Sequence, residues 1–245
     1  MQLLQNFELT SWKLPEKWQI VCTANPEGGD YSVTPLDDAM LTRMIHVTLT
    51  FDAKEWAKWA DSAGLDKRGI SFILNRPETV TFKRTTPRTL EQFFRQIENI
   101  EDLEKNLELV QMLGTGTLDD VTVGDFLNFI RDDLTELIDP EEILATSDFS
   151  KIEERLKKIG TDKKGNRRID RLSTICSRMF ICLTRENYKP GTTDQKNLCS
   201  FLKSENLPKD LKVGLAMDIS RQASDSIREM LRSDSEVAKL LIESM

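Results

Sequence analysis

Helix-start signals recur along most of this chain, and from residue 52 onward they leave little room for strands. Asp52 followed by Glu55 has the spacing of a capped helix start, and Trp56, Trp59 and Ala60 share one helical face. The same pairing of a capping residue with an apolar face continues to the end of the chain. It predicts further helices at 67–75, 87–97, 169–183, 193–204, 208–220, 223–231 and 237–242. The chain is therefore predicted to be mainly α.

Three polar stretches divide the middle of this helical region. Gly114-Thr-Gly-Thr117 predicts a break in the chain, and Thr122-Val-Gly-Asp125 predicts the cap of a helix with Phe126 on its apolar face. Asp139-Pro-Glu-Glu142 predicts another helix start. No repeat of fixed period, low-complexity tract or long linker separates these segments. They are expected to form helices joined by short connections.

The first 51 residues carry the strand patterns of the sequence. Trp18–Ala24 is an apolar, β-branched run that ends in turn residues, so we expect a buried strand with Asn25 at its tip. Thr34-Pro-Leu-Asp37 has a hydroxyl at the cap and proline at the first helical position, which predicts a short helix with Arg43 at its far end. Ile45–Phe51 alternates apolar and polar residues, the pattern of a strand with one buried face. These segments predict an α/β element ahead of the helices.

Composition narrows the class of protein and its partners. No run approaches the ~20 apolar residues that cross a bilayer, and the N-terminus lacks a secretory layout, so we expect a cytoplasmic protein with no membrane partner. Four Cys and one His fall at no metal-ligand spacing, and no metal site is predicted. Cys176 and Cys182 are expected to be core residues of one helix. The net charge of −7 argues against a general nucleic-acid coat.

Thr85-Thr86-Pro87-Arg88 predicts a helix start that could contact an anion. Thr86 would cap the helix, Pro87 would take the first helical position, and Arg88 would project from the positive end of the helix dipole. A guanidinium at a helix N-terminus suits a phosphate group. The alternative is that Arg88 is an ordinary surface arginine in a first turn.

Taken in order, these segments resemble motifs of the AAA+ ATPases, in the MoxR-like, dynein-related branch. The matching residues are the Asn-Pro turn, the helix L-D-D-A-M-L-T-R ending at Arg43, and the T-P-R ending at Arg88. The resemblance implies that Asn25 is sensor 1, which orients the water that attacks the γ-phosphate. It implies that Arg43 is the arginine finger acting on a neighbouring subunit's nucleotide, although Met44 stands where the family usually has an aromatic residue. It makes Arg88 the sensor 2 residue that contacts the γ-phosphate of the subunit's own nucleotide.

The resemblance also implies a fold, cofactors and partners. The expected architecture is mainly α, with an N-terminal α/β remnant of an AAA+ (P-loop NTPase) core at 1–51, a helical lid at 52–112 and a further helical domain at 113–245. ATP and Mg²⁺ are the implied cofactors. The implied activity is ATP-driven remodelling of a protein client, performed by a homo-oligomeric ring or together with a missing N-terminal ATPase half.

The phosphate-binding loop of such an ATPase is absent from the sequence. No G-x-x-x-x-G-K-[ST] occurs, and the nearest spacing, Gly160–Gly165, has Asn166 in place of the lysine. No apolar run ending in Asp-Glu precedes Trp18 either. In the family fold, the phosphate-loop strand lies between the two strands predicted at Trp18–Ala24 and Ile45–Phe51. The chain alone is therefore expected to be inactive, and the main ATP-binding loop would have to come from elsewhere.

A competing interpretation is a non-catalytic helical interaction or adaptor protein derived from an AAA+ ATPase. Asn25 would then only start a turn, and Arg43 would only be a favourable cation at a helix C-terminus. The segment Lys157–Arg171 carries seven basic residues and two glycines. It is either a solvated loop or a docking patch for an acidic partner, with nucleic acid the less expected occupant.

Overall fold

A computed structural model describes residues 2–24, 37–81, 83–131, 137–162, 165–186 and 188–242. These ranges contain fourteen α-helices and one two-stranded sheet, which confirms the prediction of a mainly α protein. The chain divides into two compact units, Met1–Thr50 and Phe51–Met245, and each is described by itself.

The described part of the first unit contains four short elements. They are α1 (Gln2–Asn6), β1 (Glu8–Leu9), β2 (Trp12–Lys13) and α2 (Asp38–Leu41). The two strands pair antiparallel, with Glu8 opposite Lys13 and Leu9 opposite Trp12. Helix α2 begins after Asp37, whose carboxylate accepts a hydrogen bond from the Met40 amide at 2.7 Å. No residue of α2 is buried, so the helix is held by its cap and its own turn.

The two strands predicted in this unit are not formed, which corrects the expected α/β remnant. Trp18–Ala24 and residues 45–50 have no regular secondary structure, and Ile45 and Leu49 are 95% and 91% exposed. A strand needs neighbours for its backbone groups and a cover for its apolar face. The described residues of this unit supply only the short hairpin of β1 and β2. Alternation of apolar and polar residues alone therefore cannot produce a sheet. The described residues of this unit therefore do not support the expected AAA+ core.

The second unit is built from helices whose starts follow the predicted capping signals. Asp52 accepts hydrogen bonds from the amides of Lys54 and Glu55, both at 2.9 Å, so the first helix begins where the sequence predicts. The helices are α3 (Ala53–Ser62), α4 (Lys67–Asn75), α5 (Pro87–Ile97), α6 (Leu107–Thr117), α7 (Asp120–Arg131), α8 (Pro140–Ala145), α9 (Phe149–Ile159), α10 (Ile169–Leu183), α11 (Thr192–Lys203), α12 (Lys209–Gln222), α13 (Asp225–Ser233) and α14 (Ser235–Ile242).

A cluster of phenylalanines joins α4, α5 and α7. The ring of Phe126 lies edge-on to Phe72 at 5.1 Å and to Phe93 at 5.2 Å, and each of these side chains is at most 1% exposed. Such edge-to-face pairs contribute roughly 0.5–1.5 kcal/mol beyond the area that they bury. Phe94 completes the cluster and lies against Gly69 of α4, where a side chain would collide with the ring. The cluster therefore fixes the positions of these three helices.

Helix α10 is the central element of the other part of the core. Its predicted bounds are confirmed, and ten of its fifteen residues are buried against neighbours that include α3, α4, α8 and α12. Cys176 and Cys182 lie among them, as predicted. Burial raises the pKa of Cys176 to about 12 and that of Cys182 to about 11, so both thiols stay protonated near neutral pH.

Helix α8 has only six residues, and side chains of other helices bind polar groups next to both of its ends. Asp139 precedes it but gives its carboxylate to Arg178 of α10 instead of capping α8. At the other end, the buried Asn197 of α11 donates to the carbonyls of Leu144 and Thr146, each at 2.7 Å. The polar groups at both ends of this short helix thus find partners more than 38 positions away.

The break predicted at Gly114–Thr117 is wrong, because α6 continues through it. A β-carbon on Gly114 would lie 3.0 and 3.2 Å from the two methyl carbons of Val123, so glycine permits a close approach of α6 to α7. The next helix also begins earlier than the cap predicted at Thr122, since the Asp119 carbonyl already accepts from the Val123 amide at 3.0 Å. Position 112, the expected lid boundary, lies inside α6.

Candidate functional site

The three residues predicted to contact nucleotide fall in different parts of the chain. Asn25 lies outside the described residues. Arg43 belongs to the unit Met1–Thr50 and Arg88 to the unit Phe51–Met245.

Arg43 is exposed and follows α2 by two residues. One guanidinium nitrogen donates a hydrogen bond to the carbonyl of Ala39, within the same helix. A cation near a helix C-terminus is favoured by the helix dipole, so this contact alone explains a surface arginine here. The remaining N–H groups of the exposed guanidinium can still reach an anion brought to this surface.

Arg88 is the second residue of α5 and lies in a fully capped first turn. The Thr86 hydroxyl accepts from the Thr89 amide at 3.2 Å, and the Thr89 hydroxyl accepts from the Thr86 amide at 2.9 Å, which forms a reciprocal capping box. Pro87 occupies the first position, as predicted. The Arg88 side chain is exposed at the positive end of the helix dipole, and within the described ranges no carboxylate pairs with it.

Two residues ahead of this turn, Thr85 joins the start of α5 to the start of α7. The Thr85 amide donates to Oδ2 of Asp119 at 2.9 Å, and the Asp119 amide donates to the Thr85 hydroxyl at 3.1 Å. The Thr81 hydroxyl donates to the same Asp119 oxygen at 3.0 Å. We call this pair of reciprocal hydrogen bonds between Thr85 and Asp119 the Thr85–Asp119 clasp.

A further hydrogen bond extends the clasp into the core, and the hydrogen bonds to Asp119 favour the charged form of its carboxyl group. The hydroxyls of Thr85 and Thr122 lie 2.9 Å apart, and both side chains are at most 2% exposed. Burial disfavours the charged form of Asp119, but the hydrogen bonds from Thr85 and Thr81 outweigh it and hold the pKa of this carboxyl below its usual value. Asp119 therefore remains ionised across the physiological pH range and can accept these hydrogen bonds.

Arg84 provides a second tie between the same segments. Its guanidinium donates to the carbonyls of Thr115 and Gly116 at 2.9 and 3.0 Å, at the C-terminal turn of α6. The cation satisfies carbonyls that lack a helical partner there. The loop that carries the capping box is thus attached at both the end of α6 and the start of α7.

The sequence predicted the cap ahead of Arg88, which is confirmed, but not the contact with Asp119. The two partners of the clasp are 34 positions apart, and nothing in the local sequence links them. The available signal was Asp119 directly before an apolar helix, and this pattern predicts a cap for that helix, not a contact with a distant loop.

A second concentration of charge lies among α3, α4, α8 and α10. Arg185 pairs with Asp61 at 2.6 Å and with Glu141 at 2.8 Å, while Lys67 lies 3.7 Å from both Glu141 and Asp139. A cavity of about 350 Å³ adjoins this group. Three basic and three acidic side chains line it: Lys67, Arg68, Arg178, Asp66, Glu98 and Asp139. The formal charges of these lining side chains therefore sum to zero.

The basic segment Lys157–Arg171 runs from the last turn of α9 into the first turn of α10, and Lys163 and Lys164 fall outside the described residues. Lys157 and Lys158 are exposed, whereas Arg168 pairs with Asp170 at 2.7 Å. Gly160 ends a helix here, so this glycine pair does not follow a strand as a phosphate loop would.

Within the described ranges, no group of three or more His, Cys, Asp or Glu side chains could hold a metal ion. Of the helices in the same ranges, none is long and apolar enough to cross a bilayer.

Comparison with protein-family models, with curated proteins and with solved structures finds no match for this chain. The resemblance to MoxR-like ATPases therefore rests on the quoted sequence motifs alone.

Proposed function

We propose that this chain supplies the sensor and arginine-finger elements of a MoxR-like AAA+ ATPase, with ATP and Mg²⁺ as cofactors. Arg43 would act on the nucleotide of a neighbouring subunit, and Asn25 and Arg88 on the subunit's own nucleotide. A segment or partner polypeptide carrying G-x-x-x-x-G-K-[ST] would complete the site. The assembly would be a cytoplasmic ring that remodels a protein client.

The observation that carries the proposal is the first turn of α5. Arg88 has an exposed guanidinium at a helix N-terminus whose cap is complete and whose approach loop is tied down at two points. Preorganised positive groups stabilise the charge that develops on a transferred phosphoryl group, because they need not reorganise during the reaction. An ordinary surface arginine requires no such support.

The test is ATP turnover by the full chain mixed with a polypeptide that carries the phosphate loop, such as one encoded immediately upstream. Arginine fingers in phosphoryl transfer contribute ~10³–10⁵ in rate, so Arg43→Ala should abolish turnover. Arg88→Ala should also lower it strongly. Arg95→Ala on the exposed face of α5, where Arg95 pairs with Glu91 at 3.0 Å, is the matched control and should leave turnover unchanged. Lack of turnover with an intact partner would refute the proposal.

A second candidate function is an interaction protein without catalysis. It is favoured by the closed core of the unit Phe51–Met245 and by the exposed cations Lys157 and Lys158 at the end of α9. Such a surface would bind an acidic protein segment. Salt-sensitive binding of a poly-glutamate peptide, lost in a Lys157→Glu/Lys158→Glu double variant and kept in Lys151→Glu, would support this candidate. Binding that is unchanged in the double variant would exclude it.

A further inference from the structure

The Thr85–Asp119 clasp lies close enough to Arg88 along the chain to restrain the backbone from which this side chain projects. Only two residues separate Thr85 from Arg88, so their α-carbons are at most ~10 Å apart along the chain. The capping box of Thr86 and Thr89 shapes the first turn of α5, but it does not fix that turn relative to the rest of the unit. Packing of the aromatic cluster fixes the body of α5, and the clasp adds a tie between the loop ahead of its first turn and the start of α7.

Water cannot readily replace the Thr85 side of the clasp. Thr85 is fully buried, and its hydroxyl is shared between the Asp119 amide and the Thr122 hydroxyl at 3.1 and 2.9 Å. Thr122 in turn lies 3.4 Å from the carbonyl of Thr79. A buried polar group that loses its hydrogen-bond partner is left unpaired and without water, which is energetically unfavourable. The network therefore favours one arrangement of the loop.

We propose that Thr85 and Asp119 are positioning residues that hold Arg88 in the orientation needed to contact the terminal phosphate of bound ATP. This inference rests on the proposed function and adds two residues that no motif indicates. Neither side chain contacts nucleotide, and both act through Arg88. Because a misplacement of ~1 Å can cost ~10²-fold in rate, loss of the clasp should lower turnover substantially while the core survives.

Asp119 offers a matched pair of substitutions. One oxygen, Oδ2, accepts from both the Thr85 amide and the Thr81 hydroxyl. Asp119→Asn keeps an acceptor at this point, whereas Asp119→Ala removes it. We expect Asp119→Ala to lower ATP turnover by the chain with its phosphate-loop partner at least ~10-fold, and Asp119→Asn to retain it within ~3-fold. Asp120→Ala, in the neighbouring exposed carboxylate, is the control.

A double variant separates positioning from general damage. If Asp119 acts through Arg88, Arg88→Ala/Asp119→Ala should be no slower than Arg88→Ala alone, because the residue being positioned is already gone. Losses that multiply would overturn the inference. Full turnover in Asp119→Ala, with Arg88→Ala impaired, would overturn it while leaving the proposed function intact. Full turnover in Arg88→Ala would instead refute the proposed function itself.

Amide exchange gives a readout that needs no partner. The Thr85 amide should exchange at least ~10-fold faster in Asp119→Ala than in the unchanged chain, since its acceptor is lost. Unchanged exchange would contradict the clasp. Thr85→Val, which removes only the hydroxyl, tests the same link by turnover if Asp119→Ala does not fold.

Discussion

Replacing Gly69 by alanine tests the packing argument for the aromatic cluster. Gly69 is the third residue of α4, where alanine would normally stabilise a helix by about 1 kcal/mol. Here an added β-carbon would lie 2.5 and 2.7 Å from Cδ1 and Cδ2 of the Phe94 ring, and closer still to Cγ. Phe94 is fully buried, with its ring centre about 6 Å from those of Trp56 and Phe126, so it has little room to retreat.

The magnitude follows from these opposing effects. Overpacking a filled core costs about 1–3 kcal/mol, and three ring atoms in collision place Gly69→Ala at the upper end. After the helix-propensity gain, we expect a net loss of about 2 kcal/mol, which corresponds to roughly 4–8 °C in Tm for a unit of this size. Gly214→Ala is the control, because Gly214 is exposed within α12 and nothing lies within 4 Å of its added β-carbon. It should raise Tm by roughly 2–4 °C.

Thermal and urea unfolding of the two variants, followed by circular dichroism, measure this difference directly. The argument requires opposite signs for Gly69→Ala and Gly214→Ala. Equal stabilisation by both substitutions would refute the close approach of Phe94 to α4.

Three further predictions concern stability. Phe126→Ala should cost about 3–5 kcal/mol in urea unfolding, because it empties the centre of the cluster, and a loss below ~1 kcal/mol would contradict that position. Thr86→Ala should cost about 1 kcal/mol through loss of the cap, with Thr86→Ser near neutral as the comparison; equal losses would argue against the capping box. Burial opposes ionisation of Glu141, but the hydrogen bond from Arg185 outweighs it and leaves the folded-state pKa below the ordinary value of 4.5. Glu141 therefore stabilises the fold at pH values above its unfolded-state pKa, and this contribution is lost as the pH falls through its folded-state pKa. In Glu141→Gln, the free energy of unfolding should therefore decrease less steeply as the pH is lowered. An unchanged acid dependence of the stability would contradict the pairing with Arg185.

Sequence reasoning succeeded where the structural cause is local. Asp52, Thr86 and the apolar face of α10 act within one or two turns, and the corresponding helix starts and bounds were predictable from residue type and spacing. The failure at Gly114 has the opposite cause. This glycine is needed for the approach of another helix, and a tertiary contact of this kind overrides the usual meaning of glycine as a break.

The N-terminal strands and the clasp show two other limits of local reasoning. Ile45–Phe51 has the alternation of a strand, but a strand exists only when other backbone groups lie beside it, and alternation does not supply them. Asp119 and Thr85 meet across 34 positions through ordinary residue types. The motif containing Arg88 could therefore be found from the sequence, whereas its support could be found only from the assembled helices.

The dependence of α8 on its neighbours has a consequence for the order of folding. Six residues are too few for a helix to persist alone, since isolated helices shorter than ~12–15 residues are marginal in water. Asn197 of α11 donates to carbonyls at the C-terminal end of α8, and Arg178 of α10 binds the Asp139 that precedes it; both contacts exist only when α10 and α11 have docked. We therefore expect α8 to be acquired late, with φ-values near zero for Ile143→Val, while α10 already shows substantial values. The same segment should be released first when the native protein opens, so its amides would report the earliest step of unfolding.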